Sequence, residues 1–187
     1  MYNVVAVSFG EIFLKGKNRG KFEHKLIEQI KFALKEYKDV TIYKELGKVF
    51  IHTNHIDDMD GIINKIKRVF GIVVISPSIK VEKEPEIIIE KTIELFKYLK
   101  EKQNIKTFKI NTKRGDKTFS IKSMDFSALV GEKVLNAFDD VTVDVHNPDL
   151  EIFIDIKKNC YISSERISTA GGMPIGSCGK ALLLLSG

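Results

Sequence analysis

Apolar side chains recur along the chain with two spacings, one typical of strands and one of helices. Residues 3–9 are mostly apolar and β-branched, which predicts a buried strand. A helix is predicted next, with Asn18 at its N-cap. Its apolar positions follow helical spacing: Phe22, Leu26, Ile30, Ala33 and Tyr37. Residues 40–46 and 49–53 then flank a Gly-Lys pair, the pattern of two strands joined by a tight hairpin.

A second helix and another strand complete a first unit. Asp57 or Asp58 is predicted to cap this helix. Its apolar face comprises Met59, Ile62, Ile63, Ile66, Val69 and Phe70. Residues 72–75 again predict a strand. The order β-α-β-β-α-β is that of a ferredoxin-like fold.

A second α/β unit is predicted from about residue 71 to residue 165. Residues 79–81 continue as extended chain, and Pro85 is well placed to begin a helix. The remaining predicted elements are a helix at 127–138 and strands at 107–112, 141–145, 150–156 and 161–167.

The last twenty residues differ from both units. Residues 168–180 (STAGGMPIGSCGK) are rich in glycine and predict a linker that is mobile unless it packs on a neighbouring domain. Residues 181–187 (ALLLLSG) predict a central parallel strand, so we expect the chain to stop at the start of a further α/β domain. The predicted divisions are residues 1–70, 71–166, 167–180 and 181–187.

Positive charge is concentrated in one stretch. Residues 97–122 contain nine basic and two acidic residues, a net charge of +7 in a chain whose formal charge is +5. Residues 123–165 reverse this balance, with three basic and nine acidic residues. The basic stretch predicts a phosphate-binding surface, and a solvated lysine-rich face is an equally good interpretation of charge alone.

Composition excludes several classes of protein. A hydrophobic fraction of 43% in 187 residues is enough for a core, which excludes intrinsic disorder. No apolar run approaches the roughly 20 residues that span a bilayer, so we expect no membrane contact. The N-terminus lacks the basic region of a secretory signal. Two cysteines cannot form a disulfide framework, which favours a reducing, cytoplasmic location.

Individual residues give little sign of catalysis. The four histidines lack metal-ligand spacing, no Ser/His/Asp arrangement is evident, and the Gly-Lys pair at 179–180 lacks the rest of a phosphate-binding loop. We therefore expect no metal site and no catalytic residue. Cys160 is interpreted as a small core residue, and Cys178 as exposed and open to reaction. Phe119 suits a core position better than a base-stacking one.

Four stretches together resemble one family, the tRNA 4-thiouridine synthetases, also called tRNA sulfurtransferases. They are GEIFLKGKNRGKFE, NTKRGDKTFSIKS, VDVHNPDLEIFIDI and GGMPIGSCGKALLLLSG, of which the last is the most specific. The resemblance covers essentially the whole chain. It implies an α+β protein with a ferredoxin-like domain, then a THUMP domain, then the first strand of a PP-loop domain.

The same resemblance implies an activity for the full-length protein. ATP, with Mg, would adenylate uridine 8 of tRNA, and a persulfide supplied by a cysteine desulfurase would replace the oxygen at C4 to give 4-thiouridine. The family is also linked to thiamine biosynthesis, and a homodimer is possible in the full-length enzyme. The chain alone, lacking the catalytic half, would be inactive and would not bind ATP tightly.

The resemblance and the basic stretch at 97–122 together imply a set of candidate site residues. The THUMP domain would grip the acceptor end of tRNA, and its candidate contacts are Lys109, Lys113, Arg114, Lys117, Lys122 and Ser123. We expect Arg114 to contribute more than Lys117, because a guanidinium holds a phosphate with two hydrogen bonds. Further contacts to the tRNA backbone are expected in the first domain at Lys15, Lys17 and Arg19. The candidate ATP-binding residues are Leu183, Leu184, Ser186 and Gly187.

Two other functions fit the same sequence less well. A stand-alone THUMP adapter would position tRNA for another enzyme, but it would have no use for the apolar strand at 181–187. A tandem ferredoxin-like module that binds a small metabolite would not explain the basic stretch.

Overall fold

The computed structural model describes residues 1–10, 19–45 and 47–177, with Arg19 described by its backbone alone. The elements in chain order are β1 (Val4–Phe9), α1 (Arg19–Ala33), β2 (Val40–Glu45), β3 (Lys48–Thr53), α2 (Met59–Ile66), β4 (Ile72–Val81), α3 (Pro85–Lys102), β5 (Thr107–Arg114), α4 (Ser123–Ala137), β6 (Thr142–Val143), β7 (Leu150–Ile156), β8 (Cys160–Ser163) and β9 (Ile167–Ser168). A 3-10 turn at Ile56–Asp58 precedes α2. The predicted β-α-β-β-α-β order of the first unit is confirmed.

The strands form one sheet in the order β2-β3-β1-β4-β8-β7-β5-β6, with β9 also paired to β4. Strand β5 runs parallel to β6 and to β7, and the other pairings are antiparallel. The first unit occupies one end of this sheet and the second unit the other. Strand β4 therefore joins them.

Strand β4 is where the structure departs most from the sequence prediction. The sequence predicts a strand at 72–75 and extended chain at 79–81, whereas Ile72–Val81 is a single ten-residue strand that runs through Pro77. In a strand, the N–H and C=O of one residue point to the same side, and those of the next residue point to the opposite side. The carbonyl of Ser78 faces β1, where it accepts a hydrogen bond from the N–H of Asn3. The nitrogen of Pro77 thus faces the other side. There it falls between the partners β9, at residues 74–75, and β8, at residues 79–81, so no ladder bond is lost.

The ends of three other elements also differ between the sequence prediction and the structure. Helix α4 begins at Ser123 and not at residue 127, because its first turn is polar and carries Met124 in solvent, so apolar periodicity starts late. The strand predicted at 161–167 is two strands, β8 and β9. Phe70 was expected on the apolar face of α2, but it follows the end of that helix and is 48% exposed.

All four helices cover the same face of the sheet. Val5 and Val7 of β1 belong to one core with residues of α1 and α2, and Ile79, Ile110 and Ile154 belong to a second core with residues of α3 and α4. Phe119 is buried, and its ring meets that of Phe126 edge to face at 5.1 Å. The prediction that Phe119 is a core residue is confirmed.

The opposite face carries no helix among the described residues, and we call it the helix-free face. A small third core fills part of it, where Tyr43, Phe50 and Tyr161 stack with ring centroids 5.5 and 4.0 Å apart. The carboxylate of Glu45 accepts from the Tyr161 hydroxyl at 2.7 Å and from the backbone N–H of Lys158 at 2.7 Å. These contacts tie the β2–β3 hairpin to the second unit, so the two units form one continuous surface here.

The described part of the glycine-rich linker returns to the first unit. Gly171 donates to the carbonyl of Ile72 at 2.8 Å and accepts from the N–H of Gly71 at 2.7 Å. Gln29 on α1 donates to the carbonyl of Ile175 at 2.7 Å. Residues 169–177 are thus held against the first unit.

Candidate nucleic-acid interface

Strand β5 separates the predicted RNA contacts onto two faces. Its pairing with β7 sets Lys109, Asn111 and Lys113 opposite Glu151, Phe153 and Asp155, all on the helix-free face. The alternate residues point toward the helices. Neighbours such as Lys113 and Arg114 therefore face opposite sides of the sheet.

Arg114 reaches under the loop that follows its own strand. Its Nη1 donates to the carbonyl of Phe119 at 3.1 Å and to that of Ile121 at 3.4 Å. A guanidinium bonded to two carbonyls in this way braces the loop. A direct phosphate contact by Arg114 stays a prediction.

Two serines of α4 complete the hydrogen bonding of β5. Ser127 Oγ accepts from the N–H of Thr112 at 3.0 Å, and Ser123 Oγ accepts from the N–H of Arg114 at 3.2 Å. The serines are four residues apart on a helix and their partners are two apart on a strand, so the two spacings match. Strand β6 pairs only with the first two residues of β5. The two serine hydroxyls therefore accept the backbone hydrogen bonds that a neighbouring strand would otherwise accept. Sequence reasoning missed this use of Ser127.

The loop at residues 115–122 is held in place by polar contacts as well as by Phe119. The N–H groups of Gly115 and Asp116 both donate to the carbonyl of Ile156, at 2.8 and 3.1 Å. The carboxylate of Asp116 accepts from Lys83 Nζ at 2.5 Å and from the N–H of Thr118 at 2.9 Å. These bonds, that from Lys83 foremost, lower the pKa of Asp116 to about 2. The loop is thus formed before any ligand arrives.

The loop displays two of the predicted cations to solvent. Lys117 and Lys122 are exposed, and neither has an ion pair within the described residues. Lys113 is exposed too and equally unpaired there, while Lys109 donates to the carbonyl of Val145 at 3.0 Å. As far as the described residues show, three of the predicted cations would therefore lose no ion pair on meeting an anion.

The other predicted contacts lie outside what the structure describes. They are Lys15, Lys17 and the side chain of Arg19 in the first unit, and the ATP-binding candidates Leu183, Leu184, Ser186 and Gly187. Cys178 lies outside it as well.

A cleft on the helix-free face adds cations that sequence reasoning did not find. We call it the interdomain cleft: a cavity of about 280 Å³ lined by Ala6, Ser8, Lys48, Val74, Ser76, Ser78, Asn111, Lys113, Phe153, Ile154, Asp155, Tyr161, Ser163 and Arg166. Lys48 comes from the first unit and Lys113 from the second. No local pattern signals this site, because only the pairing of distant strands brings the two together.

The charged side chains of the interdomain cleft are held in place by contacts with one another and with the ring of Phe153. Lys48 Nζ donates to Asp155 Oδ2 at 2.8 Å across the two units. Arg166 places its guanidinium carbon 3.6 Å from the centroid of the Phe153 ring, a cation–π contact. Arg166 is exposed and has no ion pair in the described part of the chain. The cleft therefore combines an aromatic–guanidinium stack with unneutralised positive charge.

Cys160 lies in the core of the second unit. Cys160 is fully buried, as predicted, and burial raises the pKa of its thiol far above the ordinary value. Within residues 1–10, 19–45 and 47–177 no three His, Cys, Asp or Glu side chains are grouped to hold a metal ion. None of the helices in that part is long and apolar enough to cross a membrane.

Two protein families match the chain, each over a different part of it. Residues 4–76 match the ThiI ferredoxin-like domain, and residues 82–165 match the THUMP domain.

Curated relatives and a solved structure agree with these matches. A probable tRNA sulfurtransferase of Finegoldia magna is 45% identical over 184 residues, which cover 98% of this chain and 47% of the relative. The corresponding protein of Alkaliphilus oremlandii is 40% identical and is covered to 48%. A crystal structure of a 4-thiouridine synthetase–RNA complex with bound ATP superimposes with a TM-score of 0.84 at 30% identity, covering all of this chain and 47% of that one. The chain spans about half the length of the curated relatives it matches.

Proposed function

Because the chain belongs to the family of proteins in which a ThiI ferredoxin-like domain precedes a THUMP domain, as in the tRNA sulfurtransferases it matches, we propose that it is the tRNA-binding half of such an enzyme. Its role is to hold the acceptor end of tRNA. The observation that carries this proposal is a set of three cations that have no ion pair in the described part of the chain. They are Lys113, Lys117 and Lys122, displayed by a preformed loop and the strand before it.

The phosphates of tRNA are the groups that these lysines are suited to bind. Lysines without carboxylate partners lose no ion pair when they meet a phosphate, and each contact releases counterions from the RNA. Ser123 accepts a bond from Arg114, which leaves its own hydroxyl proton free for a phosphate oxygen. Lys109, Arg114 and, in the first domain, Lys15, Lys17 and Arg19 are proposed as further contacts or supports.

The activity proposed for the full-length protein is ATP-dependent formation of 4-thiouridine in tRNA. Relatives named tRNA sulfurtransferase and a structural neighbour with bound RNA and ATP support it. ATP, with Mg, would bind a PP-loop domain that begins near Leu183, Leu184, Ser186 and Gly187. A cysteine desulfurase would supply the sulfur. A thiamine-related role, a homodimer and a cytoplasmic location complete the proposal.

The proposed domain divisions are 1–70, 71–166, 167–180 and 181–187. The first two lie close to the two family matches, at 4–76 and 82–165. Strand β4 connects them without a linker, so we propose that the two domains move as one body.

The test is a salt titration of tRNA binding by this chain, measured by fluorescence anisotropy. We expect log Kd to rise linearly with log salt, with a slope of roughly 0.7–0.9 for each phosphate contacted. The same chain with ATP and a sulfur donor should form no 4-thiouridine. Affinity that is weak at low salt and independent of salt would contradict the proposed RNA surface.

A further inference from the structure

An open apolar groove lies on the helix-covered side of the first domain, and we call it the α1–α2 groove. It has a volume of about 870 Å³ and is lined by α1 and the turn after it, by the end of α2 and the residues up to Phe70, and by Ile175 of the linker. Phe32 is 72% exposed, Ile175 is 66% exposed, and Phe70 beside them is exposed as well. Pockets for small ligands enclose most of the molecule they bind, whereas open apolar patches on a domain mark surfaces that meet another protein. The groove therefore has the character of a protein interface.

The linker brings the chain to this groove and is ordered there. Gln29 donates to the carbonyl of Ile175 at 2.7 Å, and the N–H of Ser177 donates to the carbonyl of Pro174 at 3.1 Å. Pro174 packs so closely on Gly71 that a Cβ at position 71 would lie 3.0 Å from its Cγ. Whatever follows Ser177 in the chain therefore starts two residues from a side chain that lines the groove.

The charged side chains around the groove favour a partner surface with carboxylates. Two ion pairs, Lys25–Glu28 at 3.0 Å and Lys65–Glu36 at 2.7 Å, balance their own charges. Three further cations have no ion pair in the described part of the chain: Lys31, Lys35 and Arg68. We expect an occupant with an apolar centre and acidic side chains around it. RNA phosphates would meet the cations but would leave the apolar side chains exposed.

The same cations disfavour a second copy of this chain as the occupant. In a two-fold interface one surface patch meets the identical patch of the other copy. Lys31, Lys35 and Arg68 of one copy would then face the same three cations of the other. Like charges opposed across an interface weaken it.

We propose that the α1–α2 groove is the docking site for the domain that follows residue 180 in the full-length protein, with Phe32, Phe70 and Ile175 at the centre of the interface. This inference rests on the proposed function, in that it needs the second half of the enzyme and its proposed domain divisions, but it does not depend on tRNA binding. The groove lies on the side of the sheet opposite the helix-free face. Docking there leaves the proposed RNA surface uncovered.

The length of the relatives and the place of the linker support this occupant. This chain covers 47% of one curated relative and 48% of another, so about as much chain again belongs to those proteins. In the proposed divisions only residues 178–180 separate Ser177 from the next domain. A tether this short gives an effective concentration on the order of millimolar, at which even a weak interface stays formed.

Hydroxyl-radical footprinting tests the proposal on two proteins, this chain and the full-length protein. The radicals oxidise exposed aromatic and sulfur-containing side chains, and mass spectrometry gives the oxidation rates of Phe32 and Phe70. Met124 is the internal control, because it lies on α4 of the second domain and is 84% exposed.

We expect Phe32 and Phe70 to be oxidised more slowly in the full-length protein, by roughly fivefold or more, because the centre of a protein interface is packed as closely as a protein interior. Met124 should be oxidised at the same rate in both proteins.

A variant of the full-length protein tests whether the two rings are covered by one interface. Phe32→Asp places a carboxylate in the apolar centre, so Phe70 should be oxidised at the rate seen in this chain. Two matched controls should leave Phe70 protected. Phe32→Leu keeps an apolar side chain, and Ile56→Asp places the same carboxylate on an exposed apolar residue outside the groove. Melting temperatures establish that each variant is folded.

The outcomes separate the two proposals. Equal oxidation of Phe32 and Phe70 in the two proteins would overturn the docking site, even if the full-length protein binds tRNA and forms 4-thiouridine. If the full-length protein does neither while both rings are protected, the proposed function fails and the docking site stands. Protection that is lost when the full-length protein is diluted would assign the groove to a second copy. Protection of this chain alone by tRNA or by phosphatidylglycerol vesicles would assign it to RNA or to a membrane surface, and each of these three results also overturns the docking site.

Discussion

The two faces of the central sheet have opposite characters, and strand β5 shows the difference residue by residue. On the helix-covered face, Phe108 and Ile110 are buried, and Arg114 is bonded to the carbonyls of its own loop. On the helix-free face, Lys113 is exposed and unpaired in the described part of the chain. Adjacent residues of one basic stretch thus support the fold on one side and remain available to a ligand on the other.

Net charge along the chain therefore overstates the size of the binding surface. Lys97 and Arg114 contribute to the basic stretch at 97–122, but Lys97 lies on α3 and Arg114 under a loop. Lys48 and Arg166 lie outside the stretch and line the interdomain cleft. The geometry of the sheet, more than the local density of lysine, decides which cations can act together.

Loss of packing on the helix-covered face should lower the free energy of unfolding more than any other change considered. Phe126→Ala deletes a fully buried ring that contacts Phe119 and should lower the free energy of unfolding by about 3–5 kcal/mol. Phe153→Leu, on the helix-free face, should cost less than about 1.5 kcal/mol because it exchanges one apolar side chain for another at a half-buried position. Denaturant unfolding measures both, and equal losses would erase the distinction between the faces.

The next effect concerns Arg114. Arg114→Ala removes two bonds from a charged donor to loop carbonyls and should destabilise the fold by about 1–3 kcal/mol. Lys117→Ala, which is exposed on the same loop, should change stability by less than about 0.5 kcal/mol. If Arg114→Ala instead melts like the wild type and loses more tRNA affinity than Lys117→Ala, the guanidinium binds phosphate directly, as the sequence alone suggested.

A smaller effect concerns the salt dependence of tRNA binding. Lys113→Gln and Lys117→Gln should each reduce the slope of log Kd against log salt by about 1, because each removes one phosphate contact. Lys97→Gln should leave the slope unchanged, although Lys97 belongs to the same basic stretch. A slope that falls equally in all three variants would mean that RNA responds to total charge and not to a particular face.

The smallest effect is a pH dependence of the loop at 115–122. Hydrogen bonds from Lys83 and Thr118 hold the pKa of Asp116 at about 2, below the ordinary 3.8. The ionised carboxylate therefore stabilises the folded loop above about pH 4, and this contribution disappears as the pH falls toward 2. The difference in melting temperature between wild type and Asp116→Asn should shrink over that interval. If that difference stayed constant from pH 6 to pH 2, ionisation of Asp116 would not be what stabilises the loop.

Much of the fold could be predicted because hydrophobic spacing reports it directly. Strands β1, β2 and β3 and helix α3 lie where their apolar residues indicate. The full length of β4 is not evident from apolar spacing, because Pro77 is accommodated only by the gap between the partner strands β9 and β8. The start of α4 is not evident from apolar spacing either, because Ser123 and Asp125 are polar and Met124 lies in solvent.

The candidate site was predictable only where its residues are local. The family resemblance and charge density point to Lys113, Lys117 and Lys122 from one short stretch. The interdomain cleft is assembled from β1, β4, β5, β7, β8 and the β2–β3 hairpin, so its members are up to about 160 residues apart. Their proximity depends on strand order, which apolar spacing does not report.

Lysine footprinting tests most directly whether RNA meets the helix-free face and its adjoining loop. The chain is acylated with and without saturating tRNA, and the modification of each lysine is measured by mass spectrometry. Our account predicts that tRNA protects Lys113, Lys117 and Lys122, while Lys97 on α3 and Lys133 on α4 react as in the free protein. Protection of Lys97 and Lys133, with Lys113 as reactive as before, would place the RNA on the helices and contradict the account.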